Sequence, residues 1–324
     1  MTIPIASPAG SAPAAAEQSG IKPGQFQQVE FGPIKLLHAT PMQVGEGPLW
    51  HPAQQVLYWV DIAGRALHQF DPASGQHQQW AMPSEPACLA WCADGLIVAQ
   101  RSGFCHFNSH TGTLTDIAAA PYEQSKIRCN DGRCDAAGRF WVGTIYEPRD
   151  LPNAELLCLE RGQLRQVRHG GSTVSNGLAF SIDQGTMFQA DTTSHQIRRH
   201  RFDTASGTLG PAQLLRQYST VKDQSYIGRP DGAAVDSEGA YWSAMFEGGR
   251  ILRLSPDGEI LQTLLLPVRC PTMIAFGGAD LKTLYITSAS QNRSNEELAQ
   301  YPWSGCVLSV SVSVAGRAEF AYQS

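Results

Sequence analysis

The sequence predicts an all-β fold, a six-bladed β-propeller built from four-stranded blades. Three observations predict it. Long helical periodicities are scarce, and short runs rich in Val, Ile, Tyr, Phe and Trp alternate with Gly, Asp, Asn and Pro punctuation. A strand–turn–strand unit recurs six times along the chain. Its copies are spaced by roughly 40–55 residues, the period of a propeller blade.

The first unit runs from Trp50 through the turn His51-Pro52-Ala53-Gln54-Gln55 into Val56-Leu57-Tyr58-Trp59-Val60. The second runs from Trp91 through Cys92-Ala93-Asp94-Gly95 into Leu96-Ile97-Val98-Ala99. The third starts at Cys134, turns at Asp135-Ala136-Ala137-Gly138 and continues as Arg139-Phe140-Trp141-Val142. The fourth is anchored at Phe180, the fifth at Val235 and the sixth at Phe276, each followed by a Gly-containing turn and a second apolar run. Asp-Gly chemistry suits such tight connections, because glycine accepts positive φ without steric cost. Further strands follow, as in Ala66-Leu67-His68-Gln69-Phe70 and Arg250-Ile251-Leu252-Arg253-Leu254. The segment 34–39 reads as a strand ahead of the first unit. It is expected to pair with the last blade and close the ring.

Bulk properties bound the function. A chain of 324 residues is within reach of one large all-β domain. A net charge of −5 without a basic cluster argues against a nucleic-acid surface, and no apolar run approaches a membrane span. Residues 1–24, rich in Ala, Pro, Ser and Gly, lack the charged start and apolar core of a secretory signal. They are expected to be a disordered extension, with the propeller over 25–324 and a cytoplasmic location. The eight cysteines then read as reduced thiols rather than a disulfide framework. His38, His51 and His195 read as structural or exposed residues, since no His-Glu-X-X-His pattern is present.

In a propeller the first strand of each blade lines the central channel, so one register position points at one place. Four residues before the six anchors stand Glu46, Ala87, Asn130, Asn176, Asp231 and Thr272. Five are polar, and Glu46, Asn176 and Asp231 are each followed by glycine. Two carboxylates and an amide oxygen suit a divalent cation and leave positions open for water and substrate. Arg128 precedes Asn130 by two residues and can present several N–H donors to a carbonyl or a hydroxyl-rich ligand. Glu147, after the third-blade strand, is placed to pair with it.

Several of these stretches together resemble one family. Gly-Glu-Gly-Pro-Leu-Trp at 45–50, Arg-Cys-Asn-Asp-Gly at 128–132, Ser-Asn-Gly-Leu-Ala-Phe-Ser at 175–181 and Arg-Pro-Asp-Gly-Ala-Ala-Val-Asp at 229–236 are similar to the SMP-30/gluconolactonase/LRE family, which includes regucalcin and bacterial sugar lactonases. The resemblance covers roughly residues 34–320. It implies hydrolysis of an aldonolactone with a divalent ion in the channel, Ca²⁺ first, with Zn²⁺, Mn²⁺, Mg²⁺ and Fe²⁺ compatible. The implied ligands are Glu46, Asn176 and Asp231, and the implied substrate-side residues are Arg128, Asn130 and Glu147. Asp231 is the first-choice base toward the attacking water, with a metal-bound hydroxide as the alternative. Cys129 and Tyr146-Glu147-Pro148 depart from the family pattern and bear on which sugar fits. The rival expectations are a non-catalytic calcium-binding or regulatory propeller, and a propeller hydrolase of other esters or organophosphates.

Overall fold

Each repeat unit becomes the two inner strands of a blade. In the computed structural model, which describes residues 26–324, the innermost strands are Gly45–His51, Pro86–Cys92, Ile127–Cys134, Ser175–Phe180, Arg229–Val235 and Pro271–Gly277. Each pairs antiparallel with the next strand in sequence, and the sheets are six separate blades. The chain is a six-bladed propeller. Blade 4 departs from strict four-strandedness. Its outer position is split between Thr208–Leu209 and Gln213–Gln217, both paired with Gln196–Asp203. One short helix, Asn295–Gln300, capped by Ser294, sits between the second and third strands of blade 6.

The expected closing strand is Lys35–His38. It pairs with Val307–Ser311 as the outermost strand of blade 6, so the first strand of the described chain completes the last blade. The chain just before it is also held. Phe31 bridges to Val312, and Val29 is buried in the apolar cluster between blades 5 and 6. The expectation for residues 1–24 lies outside the described residues. No helix among the described residues is long and apolar enough to cross a membrane. All eight cysteines are unpaired and buried.

The Asp-x-x-Gly turns do more than reverse the chain. Asp135 accepts from the backbone N–H groups of Ala137 and Arg139, from Trp141 Nε1 at 2.8 Å and from Arg139 Nε at 2.6 Å. Asp236 repeats the arrangement in blade 5 with Glu238, Ala240, Trp242 and Arg253. Asp135, Asp236, Trp141 and Trp242 are buried. Each of these carboxylates thereby satisfies its lone pairs while fixing the tryptophan that fills its blade.

The innermost strands share one irregularity. In all six, the pairing register with the second strand shifts at or across the predicted channel position: between Glu46 and Leu49, Pro86 and Cys88, Cys129 and Gly132, Asn176 and Ala179, Pro230 and Ala233, and Pro271 and Ile274. A bulge there lifts the side chain out of the ladder and re-aims it. Glycine permits this. Gly47 and Gly177 have φ of 54° and 60°, and a Cβ at Gly177 would lie 2.3 Å from the Tyr241 hydroxyl.

Candidate active site

A cavity of about 260 Å³ opens at one end of the channel. Glu46, Asn130, Asn176, Asp231 and Thr272 all line it, which are the five polar residues of the six predicted channel positions. Ala87, the sixth, is buried in an apolar cluster instead. Arg128 is also on the wall.

The amides form a chain across blades. Arg128 Nη1 donates to Asn130 Oδ1 at 3.0 Å, and Asn130 Nδ2 donates to Asn176 Oδ1 at 2.6 Å. Asn176 Nδ2 donates to Thr192 Oγ1 at 2.8 Å, and that hydroxyl donates to the Pro230 carbonyl at 2.7 Å. Every side chain in this row has its orientation set by the next. Asn176 Oδ1 keeps a second lone pair, and Thr192 ties blade 4 to the strand that carries Asp231.

The carboxylates are held against their preference. Glu46 and Asp231 are buried, as is Asp131 beside Asn130. Burial first, and then the charges of Asp231 and Asp131, push the Glu46 carboxyl well above the usual range. Burial and then Asp131 likewise raise Asp231. Asp131 is pushed up to about 6 by burial, although Arg133 opposes the shift. Asp131 Oδ2 accepts from the Leu178 backbone N–H at 2.8 Å, but Oδ1 is buried without a partner. Three mutually opposed carboxyls beside a correctly turned amide oxygen stay raised in spite of Arg128, Arg133 and Arg229 nearby, so a further cation would relieve them. The donor set of Glu46, Asn176 and Asp231 fits a divalent cation on that ground.

Glu147 stands differently from the other predicted site residues. It does not line the cavity. Arg101, from the turn after the second strand of blade 2, grips it with Nη1 at 2.8 Å and Nη2 at 2.9 Å, while Arg128 Nε lies 3.4 Å away. Its geometry is that of a brace holding the Arg128 guanidinium from behind.

Three further arginines, Arg149, Arg229 and Arg293, line the cavity with Arg128. Arg229 holds in blade 5 the register of Arg128, two residues before the channel position, while Arg149 and Arg293 carry no repeat signal. Arg149 sits in an exposed turn with φ of 60°, which no channel register marks. Arg229 and Arg293 both approach Glu247, at 3.5 and 3.4 Å, and Lys222 reaches the same carboxylate at 2.8 Å. Arg229 Nε is nevertheless buried without a partner. The carboxyls lie deep and the guanidiniums are more exposed, so the cavity is acidic at its floor and basic toward its mouth.

Comparisons with known proteins identify the family of the chain. The family described as SMP-30/gluconolactonase/LRE-like region matches residues 44–290. A 6-deoxy-6-sulfogluconolactonase of Pseudomonas putida is 46% identical over 287 residues, covering 88% of this chain and 97% of that protein. Regucalcin of Gallus gallus is 32% identical over 288 residues, covering 86% of this chain and 94% of that protein. The crystal structure of a calcium-binding regucalcin from Agrobacterium tumefaciens superposes with a TM-score of 0.85 at 28% identity, covering 91% of this chain and 98% of that one. The family match spans well over half of the chain, and with these relatives and this fold the chain belongs to the SMP-30/gluconolactonase/LRE-like family.

Proposed function

We propose that the protein hydrolyses a sugar lactone, using a divalent cation held by Glu46, Asn176 and Asp231, and that its substrate carries an anionic substituent. The observation that supports this reading is the cavity's polarity: a floor of buried carboxyls and amides beneath four arginines. A regulatory metal-binding propeller has no use for those guanidiniums. The relatives include both a lactonase and a calcium-binding protein by name, and Ca²⁺ is the first candidate ion for the oxygen-rich donor set. The site suits a soluble small-molecule hydrolase working in the cytoplasm on an intermediate of sugar breakdown.

A bound divalent ion supplies Lewis-acid polarisation at the floor of the cavity. The chain's own residues do the rest. Asp231, at the floor of the cavity, takes the proton from the attacking water. The water oxygen bonds to the lactone carbonyl carbon and the carbonyl electron pair moves onto oxygen. When that pair returns, the ring C–O bond breaks and the proton passes to the departing ring oxygen, giving the open hydroxy acid. Asn130 and Arg128 donate to the sugar's oxygens, and Glu147 with Arg101 keeps Arg128 facing the cavity. Arg149 and Arg229 receive the substituent at the mouth. A sulfonate, phosphate or carboxylate meets their planar donors equally well.

A pH-drop assay tests the reading. Gluconolactone, arabinonolactone, xylonolactone and galactonolactone are compared with 6-deoxy-6-sulfogluconolactone, each with and without EDTA. Turnover lost in EDTA and restored by a divalent ion is expected, with kcat/KM about tenfold or more higher for the anionic lactone. Equal kcat/KM for neutral and anionic lactones refutes the substrate class. Full activity after exhaustive chelation refutes the ion's role.

A further inference from the structure

Far from the cavity, on the outer part of the propeller, three histidines meet. His38 belongs to the closing strand of blade 6, and His68 and His77 belong to the third and fourth strands of blade 1. One ring nitrogen from each lies within 4.8 Å of the other two. His68 Nδ1 and His77 Nε2 are 3.0 Å apart, and the ring centroids of His38 and His77 are 4.3 Å apart. We propose that His38, His68 and His77 form a second metal site, all-imidazole, for a divalent transition ion such as Zn²⁺.

The surroundings suit that use. Trp59 lies parallel to the His68 ring, at 5.1 Å and 5°, and fixes its plane. His68 is buried, and its Nδ1 faces His77 Nε2, so in the Nε2–H tautomer its lone pair points into the cluster. Burial keeps all three imidazoles neutral, the form that binds metals; the effect is strongest at His68, where the two neighbouring histidines add to it. His38 is half-buried and His77 exposed, so an ion can enter from solvent and keep a water in the remaining position. Imidazole donors select Zn²⁺, Cu²⁺, Ni²⁺ or Co²⁺ over Ca²⁺ and Mg²⁺. The protein would then hold two ions of opposite chemical preference, a hard one on channel oxygens and a borderline one on peripheral nitrogens. The sequence reading of His38 as structural or exposed changes accordingly. Nothing in the spacing of positions 38, 68 and 77 signals the cluster, because they come from three strands in two blades.

An ion there ties the closing strand to blade 1, at the joint where the ring is sealed. The test uses the tag-free full-length protein in an Asp231→Asn background, which removes a channel ligand. Bound Zn²⁺ is counted by elemental analysis after dialysis, and Co²⁺ is substituted to read its visible absorption. One Zn²⁺ per chain is expected, with tetrahedral or five-coordinate cobalt bands. Adding His77→Gln or His38→Gln is expected to weaken Zn²⁺ binding by about tenfold or more. His77 is exposed, so His77→Gln decides the matter if the His38 variant misfolds. Unchanged Zn²⁺ stoichiometry and affinity in His77→Gln, or no Zn²⁺ retained in the Asp231→Asn background, overturns the proposal.

Discussion

Replacing Asp231 with Asn is expected to stabilise the ion-free protein while abolishing its ion response. Burial and Asp131 raise the Asp231 carboxyl to about 8, some four units above its ordinary value of 3.8. A raised folded-state value means that stability is fully present below the unfolded pKa and is lost as pH rises toward the folded one. The ion-free wild type therefore loses stability from pH 4 to pH 8. Each unit is worth about 1.4 kcal/mol, so the full span sets a ceiling of about 5 kcal/mol. Even about 2 kcal/mol corresponds to roughly 3 °C in Tm for a chain of this size. Asparagine keeps the shape and removes the charge. In EDTA at pH 8 the Asp231→Asn variant is expected to melt about 3 °C or more above wild type, and its Tm is expected to vary less between pH 5 and pH 8. With ion at about 10⁵ times Kd the order reverses, because wild type gains about 7 kcal/mol, more than the ceiling above, and the variant little. Scanning calorimetry across pH, with and without Ca²⁺, measures all four values. A folded variant that melts at or below wild type in EDTA at pH 8 refutes the reasoning about the carboxyl cluster.

Three further outcomes are expected. Deleting residues 1–40 removes the strand paired with Val307–Ser311 and should prevent folding or lower Tm sharply, whereas deleting 1–24 should leave Tm within a few degrees; circular dichroism melts of both truncations check this. Arg149→Ala should raise KM for an anion-bearing lactone by about tenfold or more and leave neutral gluconolactone nearly unchanged, read from steady-state kinetics on both. Asp236→Ala strands the buried Arg253 guanidinium and the Trp242 N–H and should cost about 3–5 kcal/mol in urea denaturation, while Glu238→Ala, at the partly exposed end of the same pair, should cost much less.

Much of the fold and part of the candidate site are visible in the bare sequence, for a specific reason. A repeat with constant register makes one position in six blades converge, so Glu46, Asn130, Asn176, Asp231 and Thr272 can be gathered by counting. The bulge at that position in every innermost strand is the physical basis of the rule, and the glycine after three of these residues is its trace. What escapes counting comes from outside the repeat. Arg149 and Arg293 belong to connecting segments, where nothing periodic marks them. Asp131 stands next to Asn130 in the sequence, but its burial and unpartnered Oδ1 are properties of depth that no register marks. Arg101 lies 46 residues from the Glu147 it grips, in the neighbouring blade, and no local pattern links the two.

The closing strand also sets an order of events during synthesis. Lys35–His38 emerges well before its partner, Val307–Ser311, and must wait for it. Until then blade 6 lacks its outer edge, and the floor residues of blades 1, 4 and 5 have no fixed separation. An ion recruited to Glu46, Asn176 and Asp231 would therefore find its seat only in the finished ring. Ion loading is in this sense a late inspection step, available to complete molecules and withheld from nascent or truncated ones.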